Sequence, residues 1–210
     1  LITARDDSFW TFCKENFASG GNAQIKSTRW LGSFDQSNTE YDMLIQEIRQ
    51  SQRSIFIENQ FFFWTKGMVH KVISEICEKI YQSITNGTEF KVIILTNYVF
   101  HDTGHPTRWA LNRCISNTLY RIEHFFKTRN IELRQLYSHL KIGYLTKGGA
   151  DVFVHSKLLV IDEATLIVST SNLTDRSLIF ERSDREIAIL LDEDDPDCHR
   201  CIREVFSRFL

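Results

Sequence analysis

Apolar positions recur at helical spacing in two early stretches of the chain and gather into short β-rich runs after each of them. From Thr39 to Gln52, the residues Tyr41, Leu44, Ile45 and Ile48 fall three and four apart and predict one buried helix face. The run from Ser54 to Phe63, rich in Ile and Phe, then reads as a buried strand. Val69, Val72, Ile73, Ile76 and Ile80 outline a second helix, Asn86-Gly87 turns the chain, and Phe90 to Thr96 reads as another strand. A helix between two strands acts as a crossover, which predicts an α/β fold: a mixed, largely parallel sheet with helices on both faces.

Beyond this point the pattern is more broken. Residues 97 to 107 read as a loop ending in Gly104-His105-Pro106, and Arg108 to Thr128 as a long helix. Two short strands are expected near Ile131 to Tyr137 and Lys141 to Leu145. After Gly148-Gly149, the stretch from Asp151 to Ser169 predicts a hairpin of two apolar strands turning at Asp162-Glu163-Ala164-Thr165. A last helix is expected from Pro196 with Asp195 as its cap, which accounts for the acidic run Asp192 to Asp197 without a calcium site. The first stretch, with Phe9, Trp10, Phe12 and Phe17 ahead of Gly20-Gly21, reads as a short helix and a loop. Residues 1–27 are therefore expected to be an extension or the remnant of a preceding domain, and 28–210 a single domain.

Composition narrows the classes. With 210 residues, 42% hydrophobic and 25% charged, the chain can bury a sizeable core and is neither fibrous nor mainly disordered. Its 25 Lys and Arg against 27 Asp and Glu give a formal net charge of -2, which disfavours nucleic acid as a partner. Apolar runs such as Val92 to Leu95 are far short of a membrane span. The N-terminus has neither an initiator Met nor a signal-peptide profile, so the sequence reads as a piece of a longer protein. Five scattered cysteines, Cys13, Cys77, Cys114, Cys198 and Cys201, are expected as free thiols in a reducing, intracellular compartment. The close pair Cys198 and Cys201 reads as a helix face rather than half a metal or redox site.

The chemistry concentrates in the predicted hairpin. Side chains two apart on a strand share a face, so His155 and Lys157 should point to one spot. The second strand ends in Ser169-Thr170-Ser171-Asn172, which brings hydroxyl and amide donors to the neighbouring strand end. If Asn172 caps a short helix through Ser177, backbone N–H groups add to the same positive pocket. These groups suit a phosphodiester: Lys157 supplies charge, Asn172 and Thr170 supply hydrogen bonds, and His155 supplies a nucleophile or a proton. The design needs no metal, and an ammonium beside the imidazole works against one. Asp162, an odd number of residues from His155, should face away and organise the hairpin turn.

The spacing His155, Lys157, Asp162, then Ser169-Thr170-Ser171-Asn172, resembles the signature of the phospholipase D superfamily. The stretches Asn172-Leu-Thr-Asp-Arg-Ser-Leu, Asp184-Arg185-Glu186-Ile-Ala-Ile and Ser54-Ile-Phe-Ile-Glu-Asn-Gln-Phe-Phe are similar to the second half of phosphatidylcholine-type members. That resemblance implies a phosphohistidine mechanism without a cofactor, in which one His attacks phosphorus and the other, here His155, serves as general acid and base. It also implies a catalytic set of His155, Lys157, Asn172, Glu186 and Asp162, with Glu186 hydrogen-bonding the catalytic imidazole. Thr170, Asn59 and Gln60 would line the substrate. Because only one such motif is found, a second half is required as partner, either from the same parent chain or from a second copy in a homodimer. Ser169 and Thr170 depart from the usual Gly and Ser, which narrows the pocket or signals an impaired site.

Each residue also has a plain structural reading. Asn59 and Gln60 fit a solvated strand edge as well as a substrate wall, and Phe61 to Trp64 suit a core better than an acyl-contacting rim. His101, Asp102 and His105 form a cluster in the predicted loop. The leading expectation is a phospholipase acting on phospholipid at a peripheral membrane surface, releasing phosphatidic acid or transferring it to another alcohol. A homodimeric nuclease, a cardiolipin-synthase-like transferase and a non-catalytic docking module are the alternatives.

Overall fold

A computed structural model describes residues 27–31, 39–64, 69–97, 106–147, 150–178, 186–191 and 200–204. The expectations for the N-terminal extension, the loop carrying His101, Asp102 and His105, Gly148-Gly149, the acidic run, and the pair made by Cys198 lie outside those residues. The free thiols described are Cys77, Cys114 and Cys201.

Seven strands build one sheet. In chain order they are β1 (Ser27–Leu31), β2 (Ser54–Asn59), β3 (Lys91–Leu95), β4 (Leu140–Gly143), β7 (Lys157–Ile161), β8 (Thr165–Ser169) and β9 (Glu186–Leu191). They lie in the order β1-β9-β8-β7-β2-β3-β4. The pairs β2–β3 and β3–β4 are parallel and the other neighbours antiparallel, so the sheet is mixed, with only β7 and β9 running against the rest. A separate hairpin joins β5 (Leu145–Lys147) to β6 (Ala150–Val152).

Helix α1 (Thr39–Gln50) and helix α2 (Val69–Asn86) cover one face. Their apolar stripes, Tyr41, Leu44, Ile45 and Ile48 on α1 and Val72, Ile73, Ile76, Cys77 and Ile80 on α2, meet Ile55, Ile57, Val92, Ile94, Leu159 and Ile167 in the main core. Full burial of each such aliphatic side chain contributes about 1.5–3 kcal/mol. Alternate strand residues point the other way: Phe56, Leu158, Val160 and Leu166 form a second cluster with Ile202 of the helical segment 200–204. The sheet thus carries helices on both faces. Helix α3 (Pro106–Lys127) adds Ile122 and Phe126 to the main core. Among the described residues no helix is long and apolar enough to cross a membrane.

Two local expectations are corrected. Residues 133–139 form helix α4 (Leu133–His139) instead of a strand. The Gln135 side chain accepts the Glu132 N–H (3.1 Å) at its start, and Leu136 is fully buried with Leu133 beside the same core. That is a helical spacing compressed into two turns, too short to be read from periodicity. The hairpin strand expected from Asp151 begins only at Lys157, because residues 150–152 pair with β5 and the chain from 153 to 156 is irregular.

Candidate active site

One end of the sheet collects the chemistry. Asn59 is the last residue of β2 and stands opposite Lys157, the first of β7, while Ser169 closes β8 opposite Ala188, two residues into β9 from Glu186. Because β7 and β9 run against β2 and β8, two strand starts and two strand ends lie along the same edge.

His155 lies just before β7, not on it, and its side chain is exposed to solvent. The backbone beside it is held by a residue the sequence reading passed over. Buried Asn97, just past the end of β3, donates from Nδ2 to the Val154 carbonyl (2.8 Å), and its Oδ1 accepts the Val154 N–H (2.9 Å). This two-point clamp brings the imidazole to the sheet edge although no ladder holds it. Its Nδ1 is 3.5 Å from the Lys157 ammonium. An Asn just past a buried strand, as Asn97 is, was the only signal of it in the sequence.

Lys157 is 8% exposed. Its Nζ donates to the His155 carbonyl (2.5 Å) and to Gln60 Oε1 (3.0 Å). Burial pushes its pKa below the usual lysine value, and the charge of Glu186 opposes that shift. A desolvated ammonium is a strong site for an anion. The exposed ring of Phe153, 6.4 Å from the His155 ring, flanks the approach.

The other wall is the turn 169–172. Ser169 Oγ and Ser171 Oγ donate to the two oxygens of Glu40 at 2.5 Å each, and Thr170 Oγ1 donates to Glu186 Oε2 at 2.5 Å. Asn172 follows, its Oδ1 buried with no hydrogen-bond partner. A half-turn of that amide presents Nδ2 at the same place, so the position can meet either a donor or a phosphate oxygen. Asn172 does not cap the helix as expected. Helix α5 (Asp175–Leu178) starts three residues later, and the Thr174 carbonyl takes its first bonds, from Ser177 and Leu178.

The structure therefore brings together His155, Lys157, Gln60, Thr170, Asn172 and Glu186. Within the described residues the carboxylate of Glu186 is bound by Thr170, not by the imidazole of His155 as expected. Asn59 is neither a solvated edge nor an open wall. It is 1% exposed, with Oδ1 accepting the N–H groups of Phe61 (3.1 Å) and Leu173 (3.2 Å) and Nδ2 donating to the Ser171 carbonyl (3.4 Å). Asp162 is not at the site at all. It sits at the far end of β7, about 16 Å away by the usual strand rise. There it accepts the N–H groups of Gln52, Arg53 and Ser54 at 2.7 to 2.8 Å, with φ of 55° in the hairpin turn. Phe62, Phe63 and Trp64 are buried, which makes them core and not an acyl rim.

Residues 44–210 match the family model described as cardiolipin synthase, PLD-like domain. This chain belongs to the phospholipase D superfamily. It is 29% identical to phospholipase D2 of Bos taurus over 199 residues, which takes in 83% of this chain and 21% of that protein. To phospholipase D zeta 2 of Arabidopsis thaliana it is 25% identical, over 92% of this chain and 20% of that protein. This phospholipase D-like chain thus spans about a fifth of the length of the curated relatives it matches. In fold it is similar to the phosphatidylserine synthase of Haemophilus influenzae, with a TM-score of 0.54 and 16% identity, covering 87% of this chain and 37% of that one. Against the superfamily pattern, Ser169 and Thr170 are not idle bulk, since the carboxylates of Glu40 and Glu186 take up their hydroxyls.

Proposed function

We propose that this chain supplies one half of a phospholipase D active site, cleaving the phosphodiester of a glycerophospholipid to phosphatidic acid and a free head-group alcohol. The observation that carries the reading is the exposed imidazole of His155 lying 3.5 Å from a buried ammonium, with a buried, unpartnered amide oxygen on the turn beside them. Lys157 and Asn172 hold the non-bridging phosphate oxygens, while Thr170, its hydroxyl given to Glu186, fixes that carboxylate beside them. An imidazole from a second half attacks phosphorus while His155 gives its proton to the departing head-group oxygen. His155 then takes a proton from water or an alcohol, whose oxygen attacks phosphorus and breaks the P–N bond, so phosphatidic acid or a new phosphatidyl-alcohol leaves and both imidazoles are restored. Gln60 acts through Lys157, and Glu186 balances the Lys157 charge.

Support for a lipid substrate comes from relatives named phospholipase D and from a net charge of -2, which offers no basic excess for a nucleic-acid backbone. The second half comes from the remainder of a longer parent chain, as the short coverage of each relative favours, and the enzyme works at a peripheral membrane surface.

The parent protein, given phosphatidylcholine vesicles and a primary alcohol, should form phosphatidyl-alcohol, and His155→Ala should abolish it. Cleavage of DNA with none of lipid would replace this reading with a nuclease. No turnover of either, in a parent carrying both halves, would leave a docking module.

A further inference from the structure

We propose that Glu40 is a positioning residue for the active site: through the hydroxyls of Ser169 and Ser171 it sets the turn that presents the Asn172 amide. The inference rests on the phosphodiesterase reading for its purpose, but its geometry stands independently.

Glu40 lies in the first turn of α1, some 130 residues before the turn it grips, and is 3% exposed. A carboxylate at that depth costs several kcal/mol unless its lone pairs are filled. Both oxygens are filled here by serine hydroxyls, one on each side of Thr170. Burial, the larger influence, pushes the Glu40 pKa up, and the two hydroxyls pull it back. Ser169 Oγ also accepts the Ser171 N–H (2.8 Å), so the backbone amide, two hydroxyls and the carboxylate form one connected chain in which each bond polarises the next.

The consequence falls on Asn172. Ser171, on its N-terminal side, is held at three points: its N–H by Ser169, its hydroxyl by Glu40 and its carbonyl by Asn59. Leu173, on the other side, is held by the Asn59 side chain and by a bridge to Phe62. Asn172 alone in this stretch carries a buried side-chain oxygen with nothing to bind. A turn fixed on both flanks while the central side-chain oxygen stays buried and unpaired holds that amide in place without satisfying it, as a group awaiting a ligand is held. Glu40 holds the flank that no sheet bond secures. The Ser169 hydroxyl, which a Gly at that position would lack, is half of its grip.

The test compares the 210-residue chain with Glu40→Gln, a near-isosteric change that removes the charge. Amide hydrogen exchange read residue by residue should show Ser171 and Leu173 at least tenfold faster, with Leu159 and Ile167 of the core unchanged. In the parent protein the same variant should lower kcat more than tenfold on phosphatidylcholine with KM within about twofold, and Glu40→Asp, shorter but still charged, should recover part of the loss. Equal acceleration at all four amides means a general loss of stability and overturns the proposal, as does no change at Ser171 and Leu173. Should Glu40→Gln not fold, Ser171→Ala is read at Leu173 against the same core amides, and an unchanged Leu173 overturns the proposal. If the wild-type parent hydrolyses no phospholipid, the functional reading falls while the exchange data still decide what Glu40 holds.

Discussion

Asn59 faces Lys157 directly across the β2–β7 ladder, and its side chain reaches past that pair to bind both neighbours of Asn172. The strand that positions the ammonium is thus tied, through one buried amide, to the turn that carries Asn172. The two walls of the site cannot drift apart without breaking it.

Asn59→Ala should therefore lower stability and activity together. It strands the N–H groups of Phe61 and Leu173 and the carbonyl of Ser171. The expected cost is about 2–4 kcal/mol, seen as a fall of about 5–10 °C in Tm for a chain of this size. A thermal melt that shifts by less than a degree would contradict the bracing role.

Asp162→Ala should separate stability from chemistry. Three backbone N–H groups lose their acceptor at the hairpin, far along β7 from the reacting groups. A loss of about 2–4 kcal/mol is expected by urea denaturation. In the parent protein the kcat per folded molecule should stay within twofold of wild type, and a hundredfold fall in kcat at unchanged stability would return Asp162 to the chemistry.

For Lys157 the sign of a pH effect can be stated. Its folded pKa is lowered by burial, so between that value and the ordinary lysine value of 10.5 the unfolded chain binds more protons than the folded one. The contribution of Lys157 to stability accordingly rises with pH through that window and is least favourable below it. Lys157→Met should remove this rise, measured as the difference between wild-type and variant unfolding free energies from pH 7 to 10. The same change should cost about a hundredfold or more in kcat, the scale of a lost transition-state charge contact. A difference that stays flat with pH would show that the ammonium is not desolvated.

Asn97→Ala releases Val154 at both its N–H and its carbonyl, so the segment carrying His155 loses the clamp on its N-terminal side. The expected result is a fall in kcat of about tenfold with a smaller change in KM, since a misplaced general acid costs orientation more than binding. Steady-state kinetics of the parent protein on phosphatidylcholine decide it, and a raised KM at unchanged kcat would contradict the placement.

Much of the frame was legible because it rests on periodicity. The helix faces of Tyr41 to Ile48 and Val72 to Ile80, the strands at 54 and 91, and the strand pair turning at Asp162 each repeat a local rule several times over, and burial then follows from the repeat. Helix α4 escaped because two turns around Leu133 and Leu136 offer no repeat to count. The displacement of His155 off β7 escaped for a different reason. It depends on Asn97, almost sixty residues away, and on the pairing of β6 with β5.

The sequence by itself determined the chemical inventory, an imidazole, an ammonium and an amide at a diagnostic spacing, and the alternation that sends Ile55, Ile57 and Phe56 to opposite faces. Only the tertiary structure decided which polar groups serve the reaction and which serve the scaffold. Along the chain, Asn59 and Glu40 fit a solvated position as well as a buried one. Burial decides otherwise, because a polar group taken from water must be paired with whatever the fold brings into hydrogen-bonding reach, and for Asn59 and Glu40 those partners include residues 112 to 131 positions further along the chain.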